Sequence, residues 1–209
     1  MKHNNVVSIL KKRIQEPLPG TAAQLKKAPE IRAEQINRFK TAIHARQSAV
    51  LLLLYPISSN SEVVFVERTT YEGTHSGQIG LPGGKKEKID QAMSDTALRE
   101  TQEEIGIDKN EITLIGSLTP LYIPISNFQV HPFVGFLSIS PKFTPEPTEV
   151  RKIITFPVAD LLQSEISKRN DMEIRGRVYE VPYFDVMGHV VWGATAMILS
   201  EFVELFKRV

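Results

Sequence analysis

Residues 48–56, SAVLLLLYP, contain the longest apolar run of the chain, Ala49 to Leu54. A bilayer-crossing helix needs about 20 apolar residues, so this run is far too short for one. It reads instead as a strand buried on both faces, ended by Pro56 and the polar turn SSNSE. EVVFVERT, residues 62–69, reads as a second strand, and the two make a hairpin. A strand with no polar face requires cover on both sides of its sheet, which points to an α/β fold.

The rest of the chain supplies that cover. A helix pattern runs from about Gln91 to Ile105 and ends at Gly106, a residue suited to the left-handed conformation after a helix. ITLIGSLTPLYIP and FQVHPFVGFLSI read as further strands, and IITFPVADLLQSEI as a strand and short helix. VYEVPYFDV and HVVWG read as a hairpin, and ATAMILSEFVELFKRV as a terminal amphipathic helix. Strands before and after one central helix predict a mixed sheet with helices on its faces. Residues 1–47 read differently. Val6, Val7, Ile9, Leu10 and Ile14 recur at helical spacing, and Pro17, Pro19 and Gly20 then break the pattern. A second, polar helix is expected from about Pro29 to Arg46, so residues 1–47 form a helical extension and 48–209 the main domain.

With 209 residues and 42% hydrophobic content, the chain can bury a sizeable core without staples. It has no cysteine, which excludes disulfide scaffolds, thiol catalysis and Cys-ligated zinc. A net charge of +1 gives no electrostatic case for a nucleic-acid or membrane-surface partner. The N-terminus MKHNNVVSILKKR lacks the apolar stretch and cleavage site of a secretory signal, and ELFKRV matches no retention address, so a cytoplasmic location is expected. A homodimer stays open.

The chemistry concentrates in Gly83 to Ile107, GGKKEKIDQAMSDTALRETQEEIGI. At roughly 100° per residue, Ser94, Ala97, Leu98, Thr101 and Ile105 share a core-facing side of the helix. Glu100, Glu103 and Glu104 fall in an adjacent arc at i, i+3 and i+4, as surface neighbours. Like charges so placed repel, and a hard divalent cation such as Mg²⁺ relieves the repulsion by accepting carboxylate oxygens, waters and phosphates. The plain alternative is a solvated acidic face, with Arg99 pairing to Glu103 four residues on. Pro82-Gly83-Gly84 precedes the helix as a glycine turn that lets backbone groups approach a ligand, and Lys85 and Lys86 suit phosphate oxygens. Turn and helix together describe a metal–diphosphate site.

These residues resemble the signature of the Nudix hydrolase family: Gly, five residues, Glu, seven residues, then Arg-Glu-apolar-x-Glu-Glu-x-Gly-apolar. Arg99, Glu100, Glu103, Glu104, Gly106 and Ile107 occupy the second half, with Thr101 at the first apolar position. In the first half Asp90 replaces Glu, and eight residues separate it from Arg99, which leaves the role of Asp90 open. The departure resembles the coenzyme A diphosphatase branch. So does HSGQIGLPGG, where Arg68, His75, Gly77 and Gln78 match and Gly73 stands in place of Arg, and so does the WGATA of residues 192–196. The resemblance extends from about Ser48 to Leu199.

It implies a Nudix-type α/β/α sandwich with a mixed sheet, using Mg²⁺ or Mn²⁺ to hydrolyse coenzyme A to 3′,5′-ADP and 4′-phosphopantetheine. Glu100 and Glu104 are the expected first metal ligands. Glu103 is a third ligand or a base acting through water, and a carbonyl near Gly84 completes the set. Arg99 would orient a glutamate. Arg68, His75, Gln78, Lys85 and Lys86 are the expected substrate contacts. Glu146 and Glu149, in the loop TPEPTEV, are candidates for a further ligand or base. Trp192 reads as a core residue before a stacking one, and His131 as structural. Alternatives are a diphosphatase for another nucleoside diphosphate derivative, such as ADP-ribose or a dinucleotide, and a domain that senses a nucleotide without hydrolysing it.

Overall fold

The computed structural model describes residues 1–29, 44–70, 77–174 and 176–207. Two expectations fall outside them: most of the second N-terminal helix, and His75. Helix α1 (His3–Arg13) and the short α2 (Gly20–Leu25) lead into β1 (Arg46–Ile57) and β2 (Asn60–Arg68). The brief strands β3 (Ile79–Gly80) and β4 (Gly83–Lys85) precede α3 (Met93–Ile105). Then come β5 (Thr113–Ser117), β6 (Leu121–Ile123), β7 (Phe128–Phe136), β8 (Val150–Pro157) and α4 (Val158–Leu161). The chain ends in β9 (Ser167–Ile174), β10 (Arg177–Val186), β11 (His189–Trp192) and α5 (Gly193–Lys207).

β1 is the axis of the main sheet. It pairs in parallel with β7 along Arg46 to Leu54, and antiparallel with β2 only at its far end, Leu54 to Ile57. Nearer its start the same edge takes up β4, with Val50 opposite Gly83 and Ala49 opposite Gly84. β3 and β8 pair with β2, and β5 and β6 with β7, so the sheet is mixed. The strand continues past Pro56 to Ile57, and the hairpin closes through Ser58 and Ser59, both at positive φ.

The apolar run is buried on both faces, as its composition requires. Leu51, Leu53 and Tyr55 pack with Val64, Val66 and with Ala97 and Ile105 of α3. Leu52 and Leu54 pack with Phe65 on the opposite side, where Val6 and Leu10 of α1 and Met197 and Phe202 of α5 close the core. Each such side chain withdrawn from water contributes about 1.5–3 kcal/mol. The result is an α/β/α sandwich, with the antiparallel sheet β11–β10–β9 joining the α5 layer through Phe184, Val186 and Val191.

α3 starts where Asp95 accepts hydrogen bonds from the N–H groups of Gln91 and Ala92, which lack helical partners. It stops at Gly106, whose φ of 73° suits glycine and whose N–H bonds to Gln102 O.

The N-terminal segment joins the core rather than lying on it. His3 Nδ1 meets Ser61 Oγ at 3.1 Å, and α2 is tied to α5 by the fully buried Glu201. That carboxylate accepts from Gly20 N at 3.1 Å, Gln24 Nε2 at 2.9 Å and Thr119 Oγ1 at 2.6 Å. Removing it strands these donors away from water. Glu201→Ala is therefore expected to lower stability by about 2–4 kcal/mol. In a thermal melt this reads as a Tm lower by several degrees, with earlier proteolytic release of the first 29 residues.

Candidate active site

The end of β2, the turn between β3 and β4, and α3 meet at Gly83 and Gly84. Gly83 has φ of 151°, and a Cβ there would lie 2.3 Å from Ala49 O, so backbone packed against backbone admits only glycine. Its N–H donates to Glu104 Oε2 at 2.8 Å. A Cβ on Gly84 would lie 2.3–2.5 Å from the carboxylate atoms of Glu100. The glycine pair is thus the floor on which two carboxylates rest.

The three glutamates of the helix do not share one environment. Glu104 is 1% exposed, and burial pushes its carboxyl up to about 7. Its Oε1 lies 3.1 Å from Arg68 Nη2 but has no aligned donor among the described residues, because that nitrogen donates to Gly83 O at 2.8 Å. Glu100 is half-buried and its carboxyl is also raised, chiefly by desolvation, against the pull of Arg99 at 3.0 Å. Glu103 turns outward, 55% exposed, and pairs with Arg99 Nη1 at 2.7 Å. The Arg99–Glu103 pair expected of a solvated face is therefore present, while Glu100 and Glu104 face the glycine turn. Among the described residues no three carboxylate or imidazole groups converge as a ready metal cage.

Arg99 organises the loop as well as the helix. Nε and Nη2 each reach an oxygen of Asp90 at 3.0 Å, and Nη2 also donates to Lys85 O at 3.0 Å. Asp90 is buried and also accepts from Glu87 N and Thr96 Oγ1. The Arg99 hydrogen bonds hold its carboxyl down to about 2. Spacing left Asp90 without a role. In the structure it is the anchor that fixes Arg99 from the loop ahead of the helix.

A cleft of about 260 Å³ opens beside the glycine pair. Arg68, Gln78, Gly83, Gly84 and Lys85 border it together with Ala194 and Thr195 at the start of α5. Lys86 lies half-buried next to them, its N–H bonded to Gln47 O. Glu149 is exposed in the loop after β7, and its charge helps raise both Glu100 and Glu104. Glu146 instead directs its carboxylate to Thr148 Oγ1 at 2.9 Å. His131 Nε2 pairs with Gln47 at 2.9 Å, and Trp192 stands half-buried opposite Tyr183 of β10.

The donor set fits one hard divalent cation. Glu104 offers a buried oxygen lacking a hydrogen bond among the described residues, and Glu100 offers a partly desolvated carboxylate whose charge helps raise Glu104. One or two carboxylates, with waters and phosphate oxygens, suffice for Mg²⁺.

Residues 45–176 match the model of the NUDIX domain. The chain belongs to the Nudix family. It is 34% identical over 170 residues to Nudix hydrolase 15, mitochondrial, of Arabidopsis thaliana, covering 78% of this chain and 58% of the relative. It thus spans little more than half the length of that plant protein. It is 30% identical over 178 residues to the Nudix hydrolase NudL of Photorhabdus laumondii, covering 81% of this chain and 94% of the relative. The MutT protein of Methanosarcina mazei shares the fold, with a TM-score of 0.51, 14% identity and coverage of 78% of this chain and 96% of that one. Among the described residues no helix is long and apolar enough to cross a membrane.

Two outcomes follow from the Nudix helix as placed. Gly84→Ala is expected to displace the Glu100 carboxylate and weaken Mg²⁺ binding by at least tenfold in calorimetry, leaving the far-ultraviolet spectrum unchanged. The raised Glu104 carboxyl also gives stability a pH dependence. An acid with a folded pKa above its unfolded value binds more protons when folded, so its contribution falls as pH rises from about 4.5 to about 7. Without metal, the stability of the natural protein relative to Glu104→Gln should therefore improve on going from pH 8 to pH 5. The change expected in denaturant titrations is on the order of 2–3 kcal/mol.

Proposed function

We propose that this Nudix protein hydrolyses a diphosphate bond in a nucleoside diphosphate derivative, and that coenzyme A or one of its derivatives is the substrate, cut to 3′,5′-ADP and 4′-phosphopantetheine. One observation carries the substrate assignment. The two stretches that resemble the coenzyme A branch, QIGLPGG and WGATA, lie far apart in sequence, yet Gln78, Gly83, Ala194 and Thr195 border one cleft. A shared ligand accounts for that convergence.

In this reading Glu100 and Glu104 hold Mg²⁺ or Mn²⁺, with a backbone carbonyl at Gly84 available to complete the set; Glu103 would have to leave its outward pair with Arg99 to join them. A bound cation of this kind neutralises diphosphate charge and lowers the pKa of a coordinated water. The protein's own groups do the positioning. Asp90 holds Arg99, and Arg99 in turn orients Glu100. Arg68 and Lys85, at the cleft wall, contact phosphate oxygens, and Gln78 and Lys86 extend that surface; His75, outside the described residues, is assigned to the substrate on sequence resemblance alone. Glu149, whose charge reaches both buried glutamates, is the loop carboxylate assigned to take a proton from the attacking water; Glu146 is engaged by Thr148. Rate enhancement then rests on positioning and electrostatic stabilisation. We treat residues 1–47 as a helical extension to the catalytic domain.

Mass spectrometry of products from coenzyme A, ADP-ribose and NADH, each with Mg²⁺ or Mn²⁺, tests this. 3′,5′-ADP and 4′-phosphopantetheine are expected from the natural protein, with turnover by Glu104→Gln lower by about a thousandfold or more. Cleavage of another nucleotide alone would overturn the substrate, and binding without cleavage would overturn the activity.

A further inference from the structure

Strand β9 is the outer strand of the second sheet and, among the described residues, pairs only with β10. The pairing runs without a bulge from Ser167 opposite Phe184 to Ile174 opposite Arg177. Eight residues at about 3.4 Å each give an edge about 27 Å long. Ser167 to Asp171 and Glu173 are exposed along it, and alternate backbone N–H and C=O groups point away from β10. Such an edge is a template for another strand.

Charged side chains ordinarily guard an edge of this kind. Here they are ordered by sign, with Lys168 and Arg169 in the first half and Asp171 and Glu173 in the second. A strand so divided is complementary to an antiparallel copy of itself. Side chains directly opposite in an antiparallel pair lie on one face, so a two-fold axis normal to the sheet passes through a residue of β9. Centred on Lys168, Arg169, Asp171 or Glu173, it would set like charge against like, and centred on Met172 it would set Asp171 against Glu173. Centred on Asn170, it sets Arg169 of each copy against Asp171 of the other, with the two asparagines meeting on the axis. Asp171 lacks such a neighbour within its own hairpin. It stands directly opposite Glu180, and Arg169 pairs with Glu180. Two carboxylates thus crowd one arginine, and the second copy's Arg169 would balance the other carboxylate.

We infer that β9 is a self-association edge, at which two copies of this chain pair antiparallel about Asn170 and join two three-stranded sheets into one of six strands. A single strand ladder lies at the small end of specific interfaces, so the dimer is a weak one that forms in the micromolar range. It extends the sheet whose β11 runs straight into Gly193, ahead of Ala194 and Thr195 at the cleft wall. Self-association at β9 is independent of the reaction proposed above.

Sedimentation velocity of the full chain, from low to high micromolar concentration, tests the edge. The natural protein is expected to approach twice the mass of one chain. Asp171→Arg, and separately Arg169→Asp, should each raise the dimer's dissociation constant by about tenfold or more. Asp171→Arg sets a cation opposite Glu180 and so favours the hairpin, which makes loss of its dimer a report on the edge and not on unfolding. In an equimolar mixture of the two variants, one copy brings two arginines and the other two aspartates, and mixed dimers should return. A natural protein that stays monomeric throughout would overturn the inference. So would an Asp171→Arg variant that dimerises as well as the natural protein, or a mixture of folded variants that stays monomeric.

Discussion

The Glu104 carboxylate, buried against the Gly83 N–H, is the interaction on which the site depends. It joins the middle layer of the sandwich to the helix that covers it. Gly83 must lie against the backbone of β1 for its N–H to point at α3, and only glycine fits there. Glu104 in turn costs desolvation energy that one N–H and one misaligned guanidinium do not offset. Native proteins tend to keep such destabilised groups at functional sites, where a ligand supplies the missing stabilisation.

The remaining elements either hold this pair in place or shape the space beside it. Asp90 fixes Arg99, which steadies Glu100 and draws Glu103 outward, so one arginine sorts three neighbouring carboxylates into distinct environments. On the other side of the sheet, α5 presents Ala194 and Thr195 to the cleft and, two turns later, buries Glu201 under α2. The N-terminal segment thereby braces the helix whose start forms the cleft wall. Stability at Glu201 and cleft geometry at Thr195 belong to the same rigid element.

Much of this was legible from residue pattern alone. The buried strand, the helix over residues 93–105 and its glycine stop each rest on a strong local signal: an unbroken apolar run, a 3.6-residue period, and a residue tolerant of positive φ. The distinction between Glu103 and Glu104 was not legible, because a helical wheel gives angles within one helix and not which of them meets a glycine turn contributed by another element. Asp90 was missed as an anchor for a related reason: its partner Arg99 is brought to it by the loop path, which spacing does not encode. β9 escaped as well. Its sequence, SKRNDMEI, has no apolar alternation; among the described residues it is the edge strand of its sheet, and its charges, such as Arg169 with Glu180, pair across the hairpin. Burial of Glu201 had no sequence signal, since its partners Gly20, Gln24 and Thr119 come from two distant segments.

The claim that Glu104 is a desolvated carboxylate awaiting a cation is tested most directly by carboxyl NMR of the protein labelled at glutamate side chains, with the resonance assigned through Glu104→Gln. Titrated without metal, this carboxyl is expected to have an apparent pKa of about 7, set by its burial. Adding Mg²⁺ should move it well below that value as the ion competes with the proton. A midpoint near the ordinary glutamate range, unmoved by Mg²⁺, would contradict the account.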